Sequence, residues 1–263
     1  MVKMLTRSRI EYVDWGINWI QGCISGCAYC YMESMQRRFN SSVEWCAPRA
    51  RFDDPVAALR KRLQVTEPTG TLMLSTSHDP AMTVEIARQM AGLVDVLGEW
   101  GLVESTLVLT KHPAKALGAL RRSPGHSMAP RFGISLTSLS ASKYECGAEP
   151  AVLRIAALLA AHEAGYPTWV SIEPPLPGVT LAELVREVIS WERVMPWVVL
   201  GKMNYRGDDP VLKAWASDWH WAVDRDVAVT LLQRAGYSES LTPTPCDGFY
   251  YIKRELEKVA YVD

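Results

Sequence analysis

Apolar positions along the chain follow two alternating rhythms. Short β-type runs occupy residues 16–22, 71–75, 104–110, 131–137, 168–172 and 197–201. Between them lie segments with helical spacing and clear start and stop signals. Asp54-Pro55 and Asp79-Pro80 each set a capping carboxylate before a first-turn proline, which satisfies or removes orphan N–H groups. The helix after Asp79 is predicted to reach Leu97. His112-Pro113 opens a shorter helix, and Pro150 opens an Ala- and Leu-rich one that Gly165 ends. Thr180-Leu-Ala-Glu183 reads as a capping box for a helix to Trp191. Further helices are predicted over 32–38 and within 224–235, and an apolar tail lies at 249–252.

Six strand–helix alternations place the chain in the α/β class, with helices covering a parallel sheet. The repeat of roughly 30–40 residues fits a partial (β/α)6 barrel of the TIM type. An open, doubly wound sheet is the alternative. The expected organisation is a barrel core over residues 1–205 and a short C-terminal extension, 206–263, packed on it. In such a barrel the chemistry sits on loops at the C-terminal ends of the strands. Functional residues are therefore expected after Gly22, Ser75, Thr110, Thr137, Ile172 and Gly201.

Composition narrows the class. With 263 residues, 48% hydrophobic and 22% charged, the chain can bury a large core and is neither disordered nor collagen-like. No run approaches the ~18 apolar residues of a membrane helix. No apolar leader follows Lys3, Arg7 and Arg9. A cytoplasmic protein without membrane contact is expected. The formal charge is −1, which excludes a globally basic nucleic-acid binder, yet charge is uneven. Residues 1–62 hold ten Lys and Arg against six Asp and Glu, and the remainder 18 against 23. The excess includes Arg37, Arg38, Arg49, Arg51, Arg60, Lys61 and Arg62, which read either as a phosphate-facing rim or as a solvated helix face.

The six cysteines are equally uneven. Cys46, Cys146 and Cys246 stand singly, whereas Cys23, Cys27 and Cys30 fall on one loop directly after the first strand. Three thiolates there can hold three irons of a [4Fe–4S] cube, leaving the fourth iron open to a small molecule. Gly22 and Gly26 let backbone fold closely round a cluster. Zinc is the alternative, but a structural zinc wants four ligands, and His78 or Cys46 would have to complete it. A non-enzymatic zinc or iron–sulfur nucleic-acid-binding protein is accordingly the competing functional class.

The segment Gly22-Cys-Ile-Ser-Gly-Cys-Ala-Tyr-Cys-Tyr31 resembles the signature of the radical S-adenosylmethionine (SAM) superfamily. Ser77-His-Asp-Pro80, Leu109-Thr-Lys111, Ile134-Ser135, Glu149-Pro150, Ala164-Gly165 and Pro175-Leu-Pro-Gly178 follow in an order similar to the spore photoproduct lyase-like branch and its phage-associated relatives. The likeness spans residues 10–205. It implies a [4Fe–4S] cluster on Cys23, Cys27 and Cys30 that chelates SAM, an external one-electron reductant such as flavodoxin or ferredoxin, and a 5′-deoxyadenosyl radical that abstracts hydrogen from substrate. It implies that Lys111 meets the SAM carboxylate and that Tyr29 and Tyr31 stand where tyrosines are implicated in hydrogen-atom relay. It also points to a nucleobase or modified nucleotide as substrate. Those lyases carry a hydrogen-donating cysteine near the end of the second strand. Leu74-Ser-Thr-Ser-His-Asp79 has none, which favours base hypermodification or rearrangement, the work of a lyase or isomerase, over photoproduct repair. A peptide or free small molecule remains the other substrate class.

Further residues at the strand ends complete the candidate set. The hydroxyls of Ser75, Ser77 and Ser135 can donate to SAM or satisfy local backbone. Glu173, directly after the fifth strand, suits the SAM ribose or the substrate. His78 reads as a proton carrier or a surface residue, and Asp79 as the cap of its helix. The loop from Lys202 to Arg206 suits an anionic substrate, and Trp215, Trp219 and Trp221 with His220 suit either core or a base-stacking platform.

Overall fold

The computed structural model describes residues 3–39, 44–121, 129–140, 143–191, 193–203, 209–217, 220–242 and 244–257. The first apolar run is not one strand but two. After β1 (Leu5–Arg7), β2 (Trp15–Ile17) pairs with β1 antiparallel and joins the main sheet. The chain breaks at Asn18, whose N–H donates to Met4 O at 2.8 Å. β3 (Ile20–Gln21) then pairs with β4 (Arg49–Ala50) in a separate small sheet. Between them lie the cysteine loop and α1 (Tyr31–Phe39).

The rest of the core follows the predicted rhythm: α2 (Pro55–Leu63), β5 (Leu72–Leu74), α3 (Val84–Glu99), β6 (Thr106–Thr110), α4 (Pro113–Leu120), β7 (Arg131–Ser135), α5 (Ala151–Glu163), β8 (Thr168–Ile172), α6 (Leu181–Ile189) and β9 (Trp197–Leu200). Asp54 caps α2 by accepting from Ala57 N, and the capping box of Thr180 and Glu183 forms. Asp79 does not start a helix. Thr83 caps α3 instead, because the Asp79 carboxylate is drawn across to β6: Oδ1 accepts from Thr110 Oγ1 and Oδ2 from Lys111 N, both at 2.6 Å.

Strands β2, β5, β6, β7, β8 and β9 are parallel and adjacent in chain order, with no reversal. A doubly wound sheet would reverse at a switch point, so the singly wound partial barrel is the correct reading. The C-terminal part contributes α7 (Pro210–Ser217), α8 (His220–Arg234), β10 (Ser238–Glu239), β11 (Phe249–Ile252) and α9 (Arg254–Glu257). The apolar tail is thus a strand. β11 pairs parallel to β9, extending the sheet to nine described strands that do not close on β1.

Strand alternation divides the core in two. Outward residues such as Ile17, Leu74, Val108, Ile134, Val170 and Leu200 pack under the helices. Inward residues Met73, Leu107, Trp169, Trp197, Val199 and Tyr251 fill the lumen with Tyr12 and Val13. Tyr12 meets Trp169 and Trp197 edge-on, with ring centres 5.8 and 5.6 Å apart, and Gly133 makes room for Trp169, whose Nε1 would lie 2.1 Å from an added Cβ. The lumen floor is therefore a packed aromatic plug. Among the described residues no helix is long and apolar enough to cross a membrane.

Candidate functional site

The inward register continues past the plug. The alternation that carries Met73, Leu107, Trp169 and Tyr251 inward reaches Ser75, Lys111, Glu173 and Lys253 farther along the same strands, and Asn18 and Ser135 follow the inward Gly16 and Gly133 by two residues. Period-two alternation puts them on one polar ring at the C-terminal mouth. Sequence reasoning reached four of them. Asn18 lay hidden inside what reads as a strand, and Lys253 follows a strand whose pairing is non-local.

The cysteine loop lies beside this ring, clasped from two sides. Cys23 N donates to Trp45 O at 2.9 Å, Ala28 N to Tyr144 O at 2.9 Å and Gly147 N to Ser25 O at 3.1 Å. Gly22 has φ 89°, and a Cβ there would stand 2.6 Å from Trp45 O. Cys23 is buried, and Cys27 and Cys30 are half-buried, whereas Cys46, Cys146 and Cys246 are exposed. Burial pushes the Cys27 thiol up to about 12, opposed by Lys111 and reinforced by Glu145 and the other two cysteines. Burial also raises Cys23 and Cys30. Without a metal these thiols are protonated, and coordination would release their protons. Among the described residues no three His, Cys, Asp or Glu side chains converge as ligands of one ion.

Lys111 and Glu145 form the charged centre of the site. Lys111 is fixed by its N–H to Asp79, and its Nζ lies 3.7 Å from Glu145 Oε1 and 5.6 Å from the Tyr29 ring centre. Burial opposes its charge, but Cys27 and Glu145 outweigh it and raise its pKa. Glu145 Oε2 accepts from Arg154 Nη2 at 2.6 Å and Oε1 from Thr137 Oγ1 at 2.8 Å, and Tyr29 also donates to Oε1. Burial opposes the Glu145 charge too, yet Lys111 and Arg154 hold its carboxyl below the usual range. Arg154 completes the brace through Glu149 O at 2.6 Å and Ser135 O at 2.9 Å. Neither Glu145 nor Arg154 carries a signal in the sequence: one lies in a loop, the other in an Ala/Leu helix.

Asn18 organises the opposite side. Its Oδ1 accepts from Ser75 Oγ and Ser77 Oγ, both at 2.8 Å, and from Thr76 N at 3.0 Å. Ser75 Oγ also meets His78 Nδ1 at 2.8 Å. Burial, with Arg51 adding repulsion, pushes His78 down to about 3. Its neutral ring stands edge-on to Trp19 at 4.5 Å, with Nε2 buried and without a hydrogen-bond partner among the described residues. Tyr31 donates to Thr76 O. Glu173 is paired with Lys253 and accepts from Tyr12 at 3.4 Å, so its carboxylate is engaged within the ring. Ser135 is buried as a residue, and its backbone carbonyl is taken by Arg154.

A cleft of about 460 Å³ opens between the β3–β4 pair, α1 and the loop after β5, lined by Gln21, Gln36, Trp45, Arg51 and Ser77. Of the basic rim, Arg37 pairs with Glu33 and Arg60 with Glu99. Arg49 on β4 and Arg51 just after it remain exposed, with no ion-pair partner among the described residues. Trp215, His220 and Trp221 pack together at 4.4 and 4.7 Å, with Trp221 buried. Trp219 and residues 204–206 lie outside the described residues.

Neither a family model nor a curated protein matches the chain. Solved structures of spore photoproduct lyase do. A cysteine-to-serine variant superposes with a TM-score of 0.66 at 15% identity, covering 96% of this chain and 80% of that one. A doubly substituted variant with bound AdoMet and dinucleoside spore photoproduct gives 0.62 at 15% identity, over 94% and 78%. The lyase complexed with dinucleoside spore photoproduct gives 0.61 at 16%, over 95% and 79%. The chain therefore shares the partial-barrel fold of these lyases.

Proposed function

We propose that the chain is a radical SAM enzyme, with Cys23, Cys27 and Cys30 as ligands of a [4Fe–4S] cluster and the polar ring as the SAM and substrate site. The observation that carries this reading is the placement of three thiols on one clasped loop at the mouth of a plugged partial barrel, facing Lys111. Tetrahedral zinc needs ligands converging on one point, whereas a cube takes thiolates at three separate corners. Three loop thiols match the three corners that a cube with one open iron asks of the protein.

When bound, the cluster and SAM supply a 5′-deoxyadenosyl radical that abstracts a hydrogen atom. The chain's residues bind, orient and exclude water. Lys111, held on Asp79 and kept charged by Glu145, is a point-charge partner for the SAM carboxylate. The Ser135 hydroxyl is a donor at the same wall, whereas the protons of Ser75 and Ser77 are held by Asn18 Oδ1, so these two serines shape the wall and offer acceptor capacity. Glu173, paired with Lys253, presents its remaining acceptor capacity toward the ribose or substrate. The aromatic plug closes the floor against water. Tyr31, less buried than Tyr29, is the better-placed hydrogen-atom relay, because the Tyr29 hydroxyl is tied to the buried Glu145 carboxylate whereas that of Tyr31 meets only a backbone carbonyl, Thr76 O. His78, neutral near physiological pH, serves the Ser75 knot and is not a proton source.

For substrate we infer a nucleobase in DNA or a modified nucleotide. The lyase structures that share the fold hold a dinucleoside photoproduct, and Arg49 and Arg51 offer phosphate contacts beside the cleft. Residues 74–79 contain no cysteine, which favours hypermodification or rearrangement over cross-link reversal. Repair of a photoproduct is the second reading, favoured by those same bound ligands. The test is anaerobic turnover with SAM, a flavodoxin-type reductant, and DNA with or without the photoproduct. Formation of 5′-deoxyadenosine that is lost in Cys27→Ala supports the reading, and its absence overturns it. Restored thymines in the photoproduct arm would establish the second reading.

A further inference from the structure

The cleft over the β3–β4 pair is left unused by this mechanism. Its volume of about 460 Å³ lies within the range of small-molecule sites, with room for one nucleoside and none for a duplex. Ile20, Met32 and Trp45 give it apolar surface, and Gln21, Gln36 and Arg51 bring polar groups to the same space. Met32 and Gln36 are four residues apart on α1, so they share one helix face. No residue of α1 is buried, so that face borders the cleft without closing it.

The polar groups complement a nucleotide. Each amide sets a carbonyl acceptor beside an NH2 donor, the pattern that pairs with neighbouring donor and acceptor atoms on a base edge. No hydrogen bond among the described residues occupies the side chain of Gln21 or Gln36. Ser77, also on the lining, gives its proton to Asn18 Oδ1 and so adds acceptor capacity. That same bond ties the cleft wall to the Asn18 knot, so the cleft adjoins the polar ring. Arg49 stands opposite Gln21 in the β3–β4 ladder. With Arg51 it carries positive charge past the edge of the cleft, which suits a polyanionic strand better than a free nucleotide.

We infer that the cleft holds one unpaired nucleobase of a DNA strand, next to the reacting base, with Gln21 and Gln36 on its edge and Arg51 on its phosphate. This deepens the nucleic-acid reading above and rests on it. Enzymes that work on a base outside the stack set their sequence preference through contacts to flanking nucleotides. The two amides are thus specificity residues, apart from the cluster ligands and from the residues assigned to SAM.

The experiment is a fluorescence-anisotropy titration of labelled single strands of dA, dT and dC at several salt concentrations, with the chain as purified and after cluster reconstitution. Thermal unfolding checks the fold of each variant. Wild type is expected to favour one strand over another by about 5-fold or more. Gln21→Leu combined with Gln36→Leu should bring the three affinities together. Gln36→Glu should weaken dT more than dC, because a carboxylate only accepts and cytosine offers an amino donor where thymine offers a carbonyl. Arg51→Gln should lower all three alike and reduce the salt slope by about 0.7. Equal binding of the three strands by wild type, or amide variants that leave the pattern of affinities unchanged, overturns the subsite. If the double variant does not fold, Gln36→Glu decides alone. A chain that forms 5′-deoxyadenosine but binds no strand also overturns the subsite and leaves the radical chemistry standing. A chain that shows the amide effects but assembles no cluster refutes the radical SAM reading instead, so the two failures are distinct.

Discussion

Replacing Arg154 with Leu should cost more than any other single change at the mouth that spares the cysteines. Its side chain is 4% exposed and that of Glu145 3%. The substitution removes three hydrogen bonds at once, to Glu145, Glu149 O and Ser135 O. It leaves a buried carboxylate whose nearest remaining cation, Lys111, stands 3.7 Å away. Breaking a buried pair from one side costs about 3–5 kcal/mol. For a chain of this size, at roughly 2–4 °C per kcal/mol, Tm should fall by about 6–20 °C. The assay is urea and thermal unfolding of the reduced protein. Two features identify the cause. Glu145→Gln in the Arg154→Leu background should recover more than half of the loss, because the amide needs no counter-charge. The wild-type advantage should also shrink with acid. The Glu145 pKa is depressed in the folded wild type, so its contribution is present above the unfolded carboxyl value and is lost as pH falls through the folded one. A destabilisation below about 1 kcal/mol, the range of an exposed pair, would refute the reasoning.

Other consequences are simpler. Lys111→Met should leave the fold intact but weaken SAM binding by about 10- to 100-fold, the worth of a charged hydrogen bond; equilibrium binding to the reconstituted protein measures it, and unchanged affinity would remove Lys111 from the SAM site. Tyr31→Phe loses the hydrogen bond to Thr76 O and should cost about 1 kcal/mol of stability while 5′-deoxyadenosine still forms and substrate product does not; equal yields of both would end its assignment as relay. Asp224→Ala removes the carboxylate that caps α6 from α8 through Leu181 N at 2.5 Å and Ala182 N at 2.9 Å and should destabilise by about 1–3 kcal/mol in urea unfolding, with cluster assembly unaffected.

How far the site is legible in sequence depends on where each residue sits. Ser75, Lys111, Ser135 and Glu173 end strands that announce themselves through apolar runs, and period-two alternation carries them to one face. Asn18 escapes because residues 16–22 read as one strand, while the structure diverts the chain there to pair β3 with β4. Asp79 shows the limit of local signals. It shares the Asp-Pro pattern of Asp54, which does cap its helix, but a tertiary demand from Thr110 and Lys111 takes its carboxylate. Lys253 needed the β11–β9 pairing, which no local pattern encodes. Glu145 and Arg154 are opposite charges nine residues apart that meet only because β7 and α5 fold back on each other.

The central claim is that three cysteines hold a cube with one open iron. It is tested most directly by reconstituting the reduced protein anaerobically and recording its EPR spectrum before and after SAM is added. The account predicts about four irons per chain, a reduced cluster signal, a change of that signal on binding SAM, and loss of all three in Cys27→Ala. Zinc bound in place of iron, or a cluster whose signal is indifferent to SAM, would contradict it.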